Sequence, residues 1–336
     1  MSKKIINISL EIKNIALKTA FITSLRRVSS IEFVRIYVLC DDGSSAFGEA
    51  PATKAITGED IESILKNAQD IKSEFLSVSP EDSLIVLHKK KIGSSCKAMF
   101  DMAFMSLIVP FSVKDHQTIM SDITISLNPL PIMLRDAHSA LDEGMRLLKI
   151  KLGSDIKHAI SVTKRVSKEL PTATLLIDAN QAWSYEESLV YINEVNALPL
   201  ALIEQPVIAK DLDSLKKLCK HSCIPILADE AVFTLSDVIN IVENNCADMI
   251  NIKLMKCGGV SKAIEILEYA REKNISCMLG SMLEGPYSIN AALYLAFNYS
   301  DVIKYVDLDS PLLYKNPSSE LDFNFKGSHI SLKLHT

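Results

Sequence analysis

The sequence predicts an α/β protein: a parallel eight-stranded barrel with an α+β block in front of it. Two observations carry that prediction. After Ser121, eight short apolar runs follow one another, "DITISLN", "RLLKIKLG", "ATLLIDAN", "LALIEQP", "IPILADE", "DMINIKL", "ISCMLGS" and "IKYVDLD", and a helical pattern separates most of them. Alternating strands and helices build a parallel sheet with its helices outside, and eight such strands imply a barrel. Before Ser121 strands come first and helices after, an α+β arrangement of ordinary domain size.

Taken in order, Ile6, Ile8, Leu10 and Ile12 recur at every second position, the pattern of a strand. "IEFVRIYVLCDDGSSAFGEA" adds two apolar runs around an Asp-Gly turn. From about Asp60 to Met105 the pattern is helical, with Ile61, Ile64, Leu65 and Ala68 on one face and a second apolar helix from Lys97. Beyond Ser121 a helical pattern ends at Gly144, and "DIKHAISVTKRVSKEL", "SYEESLVYINEVNAL", "KDLDSLKKLC", "TLSDVINIVENN" and "GVSKAIEILEYAREKN" follow. The closing "PLLYKNPSSELDFNFKGSHISLKLHT" reads as turns and short strands that return to the N-terminal block. The expected division is 1–120, 121–310 and 311–336.

Composition narrows the partners. The 336 residues are 48% hydrophobic, enough for a full core, and no segment has the apolar length of a membrane helix. Its 36 basic and 41 acidic residues are mixed, for a net charge of −5. No basic stripe invites nucleic acid, and "KKK" at 89–91 reads as a solvated face. A small molecule is the expected partner, with neither nucleic acid nor membrane. Glu11 and Lys13 interrupt any apolar leader, and seven scattered cysteines fit reduced thiols in a cytoplasm. Cys219 and Cys223 flank His221, but no second ligand pair follows at useful spacing, so the trio reads as a coincidence on a helix. No solenoid-type repeat is visible.

The chemistry lies at the strand ends, where parallel barrels carry their catalytic groups. In "LLKIKLG", Lys149 and Lys151 are two residues apart and face one side, while Leu148, Ile150 and Leu152 face the other. The next three strands end in Asp178, Glu204 and Asp229; the sixth carries Lys253 and the eighth Asp307 and Asp309. Three convergent carboxylates repel one another unless a cation sits among them, and oxygen donors with open positions suit Mg2+. The plainer reading of each acid is a cap on the following helix. Lys151 and Lys253 come from opposite sides of the barrel. Burial lowers a lysine's pKa toward that of a working base, and Lys149 lowers that of Lys151 further or holds a metal-bound carboxylate. An ion-pair network without chemistry is the competing reading, but so costly a polar centre argues for function. Two bases across a metal-held carboxylate suit removal of an α-proton, an enediolate, and reprotonation from the opposite face.

"KIK" at 149–151, "DAN" at 178–180, "EQP" at 204–206, "ADE" at 228–230 and "NIKLMKCGG" at 251–259 resemble the enolase superfamily, in its muconate-lactonizing-enzyme subgroup. Sites of that superfamily pair a Lys or His base with Mg2+. The resemblance spans nearly the whole chain, including "GEAPATKAITGED" at 48–60. It implies a modified TIM-type (β/α)7β barrel beneath an α+β capping domain.

Within the subgroup the sequence is most similar to dipeptide epimerases of the L-Ala-D/L-Glu type. "DLD" at 307–309 resembles their Asp-x-Asp, which implies that Asp307 and Asp309 receive a free α-ammonium; an exposed acidic turn before Pro311 is the alternative. "FITSLRR" at 21–27 resembles the cap loop whose arginine pairs with a glutamate side chain. Arg26 aligns best and Arg27 next, and a guanidinium suits a carboxylate. "GSMLE" at 280–284 resembles the seventh strand end, which implies Ser281 and Met282 in the substrate pocket. The resemblance also implies Asn180 and Asn251 as supports of the polar centre, and Gly258-Gly259 as the opening of a helix whose N-terminus helps hold anions. "AFMSLIVPFSVKDHQTIM" at 103–120 departs from the family, being short, poor in glycine, and with Ser106 where Asp is common. Cys257 replaces a small residue.

The leading expectation is a Mg2+-dependent isomerase that epimerises L-Ala-L-Glu and L-Ala-D-Glu by transfer between Lys151 and Lys253, a cytoplasmic homo-oligomer of murein peptide metabolism. Three alternatives use the same residues. o-Succinylbenzoate synthase or N-acylamino-acid racemase substrates leave Asp307 and Asp309 without an ammonium. An epimerase of hydrophobic or cationic dipeptides dispenses with Arg26 pairing. A silent metal-binding scaffold predicts a lost lysine or ligand, and none is lost.

Overall fold

The computed structural model describes residues 2–22, 27–109, 111–113 and 117–333. An antiparallel sheet opens the chain, with β1 (Ile5–Ile22), β2 (Arg27–Cys40) and β3 (Ser45–Pro51) side by side in that order. Helices α1 (Lys54–Thr57), α2 (Ile61–Ile71), α3 (Pro80–His88) and α4 (Ser94–Ile108) follow. Asp60 and Ser63 form a capping box on α2; Ser79 caps α3, with Pro80 in its first position. The sequence pattern does not distinguish α3, because Leu84, Ile85, Val86 and Leu87 are consecutive and show no helical period. α4 is buried on nearly every side, because it packs between the sheet and the barrel.

β4 (Thr118–Met120) leads into the barrel. Its strands are β5 (Ile123–Ile125), β6 (Leu147–Lys151), β7 (Thr174–Asp178), β8 (Leu200–Glu204), β9 (Ile226–Ala228), β10 (Met249–Lys253), β11 (Ser276–Gly280) and β12 (Ile303–Asp307). They lie in chain order and pair in parallel, and a bridge between Ser121 and Val306 joins the first edge to the last. The crossover helices are α5 (Leu130–Asp142), α6 (Ile156–Glu169), α7 (Tyr185–Val195), α8 (Leu212–His221) and α9 (Leu235–Glu243). After them come the short α10 (Leu254–Cys257), α11 (Val260–Lys273) and α12 (Pro286–Asn298). This is the expected (β/α)7β barrel behind an α+β block. α12 escaped the sequence pattern because it is apolar on nearly all sides and so lacks an amphipathic stripe. After α13 (Ser310–Leu313), the hairpin of β13 (Phe323–Lys326) and β14 (His329–Leu332) pairs with β4. The Lys315 N–H donates to the Ala16 carbonyl and Arg35 grips Glu320, so this segment touches the N-terminal sheet.

Helices α6 to α9 begin on an acceptor of their own: Asp155, Ser184, Asp211 and Thr234 each take a first-turn N–H. α11 and α12 begin on Gly259 and Gly285, which offer no side chain. At α11 the missing acceptor comes from α4, where buried Asp101 takes the Ser261 N–H at 3.0 Å and its hydroxyl as well. His88 Nε2 lies 2.8 Å from the same carboxylate. Gly259 sits at φ +126°, and a Cβ there would fall 2.3 Å from Asp101 Oδ1. The expected anion at this helix N-terminus is thus the protein's own carboxylate.

Candidate active site

The site grows out of strand periodicity. Leu147, Leu176, Leu202, Leu227, Met249 and Met278 fill the barrel floor. Two residues further along, on the same face at β6 to β10, stand Lys149, Asp178, Glu204, Asp229 and Asn251, all within 2% of full burial. One more step along β6 and β10 brings Lys151 and Lys253 to the rim, each 7% exposed.

Lys149 Nζ lies 2.6 Å from Asp307 Oδ2, 2.7 Å from Glu204 Oε2 and 3.2 Å from Asp178 Oδ2. Lys151 Nζ donates to Asp178 Oδ2 at 2.5 Å, and Lys253 Nζ to Asp229 Oδ2 at 2.7 Å. Lys256 approaches Asp229 from the far side, 2.5 Å from Oδ1. The Asn251 amide donates to Glu204 Oε1 at 2.8 Å, and Asn180 reaches Glu230 at 3.3 Å. Asp309 accepts the Thr124 N–H at 2.8 Å. Among the described residues, the carboxylates that gather within 4.8 Å are Asp122, Asp307 and Asp309. Asp178 and Glu204 share the Lys149 ammonium, while Lys253 and Lys256 hold Asp229 from two sides.

Above this layer opens a cavity of about 610 Å3, its mouth included. Lys151, Lys253, Ser281, Met282, Asp307 and Asp309 line it from the barrel, and Phe21, Ala55 and Ile56 from the N-terminal block. Asn180 is on the wall, while Lys149, Glu204 and Asn251 lie beneath. Arg26 falls outside the described residues; Arg27 is exposed at the start of β2. His221 Nε2 lies 2.7 Å from Asn193 Oδ1.

Residues 133–333 match the family model described as enolase C-terminal domain-like. The chain is also 56% identical to the L-amino acid-D/L-Glu epimerase of Sulfurimonas denitrificans over 337 residues, 97% of this chain and 99% of that one. The chain belongs to the dipeptide epimerases of the enolase superfamily. This enolase-superfamily epimerase superposes on the substrate-liganded L-Ala-D/L-Glu epimerase of Bacillus subtilis with a TM-score of 0.89 at 32% identity, covering 98% and 96% of the two chains. It superposes on a dipeptide epimerase of Methylococcus capsulatus, solved with Mg and L-Arg-D-Lys, with a TM-score of 0.91 at 25% identity, covering 98% and 97%. Among the described residues no helix is long and apolar enough to cross a membrane.

In the epimerase the acids and ammonium groups set each other's charge. Burial raises Glu204 to about 8, helped by Asp178 and opposed by Lys149. Burial also works on Asp178, but Lys151 and Lys149 outweigh it and leave the acid at about 2. Lys253 and Lys256 likewise hold Asp229 well below the ordinary range against its burial. Burial pulls Lys253 and Lys149 down, yet Asp229 for the first and Asp307 for the second leave both above their usual value. The depression expected at Lys253 is therefore absent, whereas at Lys256, for which none was expected, burial outweighs Asp229 and lowers it. At Lys149 and Lys253 burial is the largest single influence, but several carboxylates together outweigh it.

Sequence reasoning missed three polar residues of the epimerase site. Lys256 had a signal, the second lysine of "NIKLMK", and Glu230 directly follows Asp229. Asp122 had none: it is fully buried, and neither of its oxygens has a hydrogen-bond donor. Burial, then Asp307 and Asp309, push Asp122 far up, and burial with Asp307 lifts Asp309 to about 6.

Proposed function

We propose that this epimerase interconverts L-Ala-L-Glu and L-Ala-D-Glu by a two-base transfer of the C-terminal residue's α-proton. The observation that carries the mechanism is the placement of Lys151 and Lys253 on strands four apart in the barrel order, both reaching one cavity. One lysine takes the proton from one face of the α-carbon, and the other returns a proton to the opposite face. Lys149 keeps Glu204 and Asp307 in place from below. Asp307 and Asp309, at the cavity wall, receive the substrate's α-ammonium. Preference for Glu is supported by the D/L-Glu named for the relative that is 56% identical, and that name also supports a tolerant first position. Arg26 is the proposed partner of the Glu side chain.

Asp178, Glu204 and Asp229 fit Mg2+, since they are three buried hard oxygen donors at the ends of three adjacent strands. Mg2+, when bound, supplies positive charge to the substrate carboxylate as the α-proton leaves. Asn180 and Asn251 brace the acids around this position. Seven free cysteines support a reducing cytoplasm, where murein peptides would be the substrate source. Assembly into a homo-oligomer belongs to the same reading, and sedimentation velocity reads it.

The test is incubation with Mg2+ and L-Ala-L-Glu in D2O, followed by NMR. Loss of the Glu α-proton signal with growth of L-Ala-D-Glu is the expected result. No exchange with either epimer would overturn the substrate assignment and turn attention to other dipeptides and then N-acyl substrates.

A further inference from the structure

Glu49, on β3, is fully buried and receives four donors. Arg35 Nε and Nη2 donate to its Oε1 at 2.8 and 2.6 Å. The N–H groups of Tyr287 and Ser288 donate to Oε2 at 2.9 and 3.1 Å. Those two N–H groups open α12, the helix whose N-cap is Gly285, so a carboxylate from the N-terminal block completes a barrel helix and faces its positive end. A Cβ at position 285 would lie 2.5 Å from Glu49 Oε2. Only glycine lets the two approach this closely. Arg35 is itself fixed, holding both oxygens of Glu320 at 2.7 Å and lying 4.7 Å from the centre of the Tyr287 ring.

Both ends of this latch run directly into the cavity. From α12 backwards, Glu284 accepts the Met282 N–H at 2.8 Å and the Ser288 hydroxyl, and the Ser310 hydroxyl donates to the Met282 carbonyl at 3.1 Å. Met282 and Leu283 line the barrel side of the cavity. From Glu49 forwards, β3 ends at Pro51, and Ala55 and Ile56 line the opposite side. Neither pair of wall residues touches the reacting centre through its own charge, so their role is spacing.

We propose that Glu49 is a positioning residue that sets the gap between the Ala55–Ile56 wall and the Met282–Leu283 wall, and through it which dipeptide side chains fit. The inference rests on the proposed function only in taking this cavity as the substrate pocket. Glu49→Gln keeps the size of the side chain, but its amide must turn an NH2 toward either the guanidinium or the helix N–H groups. Asp101→Asn is the control: it weakens the other carboxylate between block and barrel, at α11, away from the cavity walls.

Two measurements read the outcome. Amide hydrogen exchange of residues 52–57 and 281–288 is expected to quicken about tenfold in both segments of Glu49→Gln, because local opening costs less. Steady-state kinetics on a panel of L-Ala-L-Xaa dipeptides should show KM for the best substrate up about tenfold, kcat within about twofold, and a flatter preference. Asp101→Asn should lower the melting temperature and leave the KM pattern unchanged. Arg35→Lys, which leaves the Glu49 contacts to α12 in place, should give the same pattern more weakly if Glu49→Gln fails to fold. Unchanged exchange at 281–288, or the same KM pattern in Glu49→Gln as in Asp101→Asn, overturns the proposal. Exchange needs no substrate, so it still decides the positioning role if the dipeptide assignment itself fails.

Discussion

Single residues in this site act through the partner they are pressed against. Lys151 and Lys253 each rest on one carboxylate, and each is proposed to serve one face of the substrate. Replacing either by Ala should lower epimerisation by about 10²–10⁴-fold. Each variant should nevertheless still exchange the α-proton of one epimer in D2O, with the surviving epimer differing between the two. Loss of exchange from both epimers in both variants would deny the division of faces. Asp309→Asn should raise KM for dipeptides about 10–100-fold, the worth of a charged hydrogen bond, and leave N-acyl substrates untouched. The pH dependence has a definite sign. The folded pKa of Asp309, about 6, lies above the ordinary 3.8, so the buried acid favours its protonated form. Its contribution to stability is present at low pH and lost as pH rises through about 6. Its capacity to bind an ammonium runs the other way, so KM for dipeptides should climb as pH falls below about 6. A flat KM between pH 5 and 7, scanned at intervals of about half a unit, would remove Asp309 from the ammonium site.

Elements are joined here by carboxylates that travel between them. α11 has a glycine start and borrows Asp101 from α4. Gly259→Ala meets both a left-handed φ and the Asp101 side chain, and should cost about 2–4 kcal/mol in urea unfolding. Asp101→Asn should cost about 1.5–3 kcal/mol, since a charge-assisted acceptor becomes a neutral one. If Gly259→Ala unfolds at the wild-type midpoint, the close approach is not needed. The "CGG" run reads from sequence as a helix opening, because glycine in front of an amphipathic pattern is a local signal. The acceptor that fills the opening is 160 residues away in the chain and leaves no local trace.

At the scale of the whole molecule, the barrel concentrates more acids at its centre than its own lysines relieve: Asp122 finds no donor and Glu204 is lifted to about 8. A cation that binds only the folded barrel relieves that repulsion and stabilises it. Mg2+ at a hundred times its Kd should add about 2.7 kcal/mol to stability. The increment should vanish in Asp178→Asn, and chelation by EDTA should abolish activity reversibly. A wild-type melting curve indifferent to Mg2+ would count against the three acids as its site.

The sequence by itself determined the barrel, the strand ends and the direction of Lys149, Lys151, Asp178, Glu204, Asp229 and Lys253. Strand alternation and helix periodicity are local, and two residues of spacing suffice to say which side chains share a face. The tertiary structure alone decided which charges meet. Lys149 and Asp307 are 158 residues apart, Glu49 and Tyr287 238 apart, and their contacts exist only once the sheet closes and the N-terminal block docks. For that reason the lysines' charge, the cluster around Asp122, and the carboxylates that cap α11 and α12 are properties of the closed barrel. No pattern along the chain could set them, because their energies depend on distances that only folding creates.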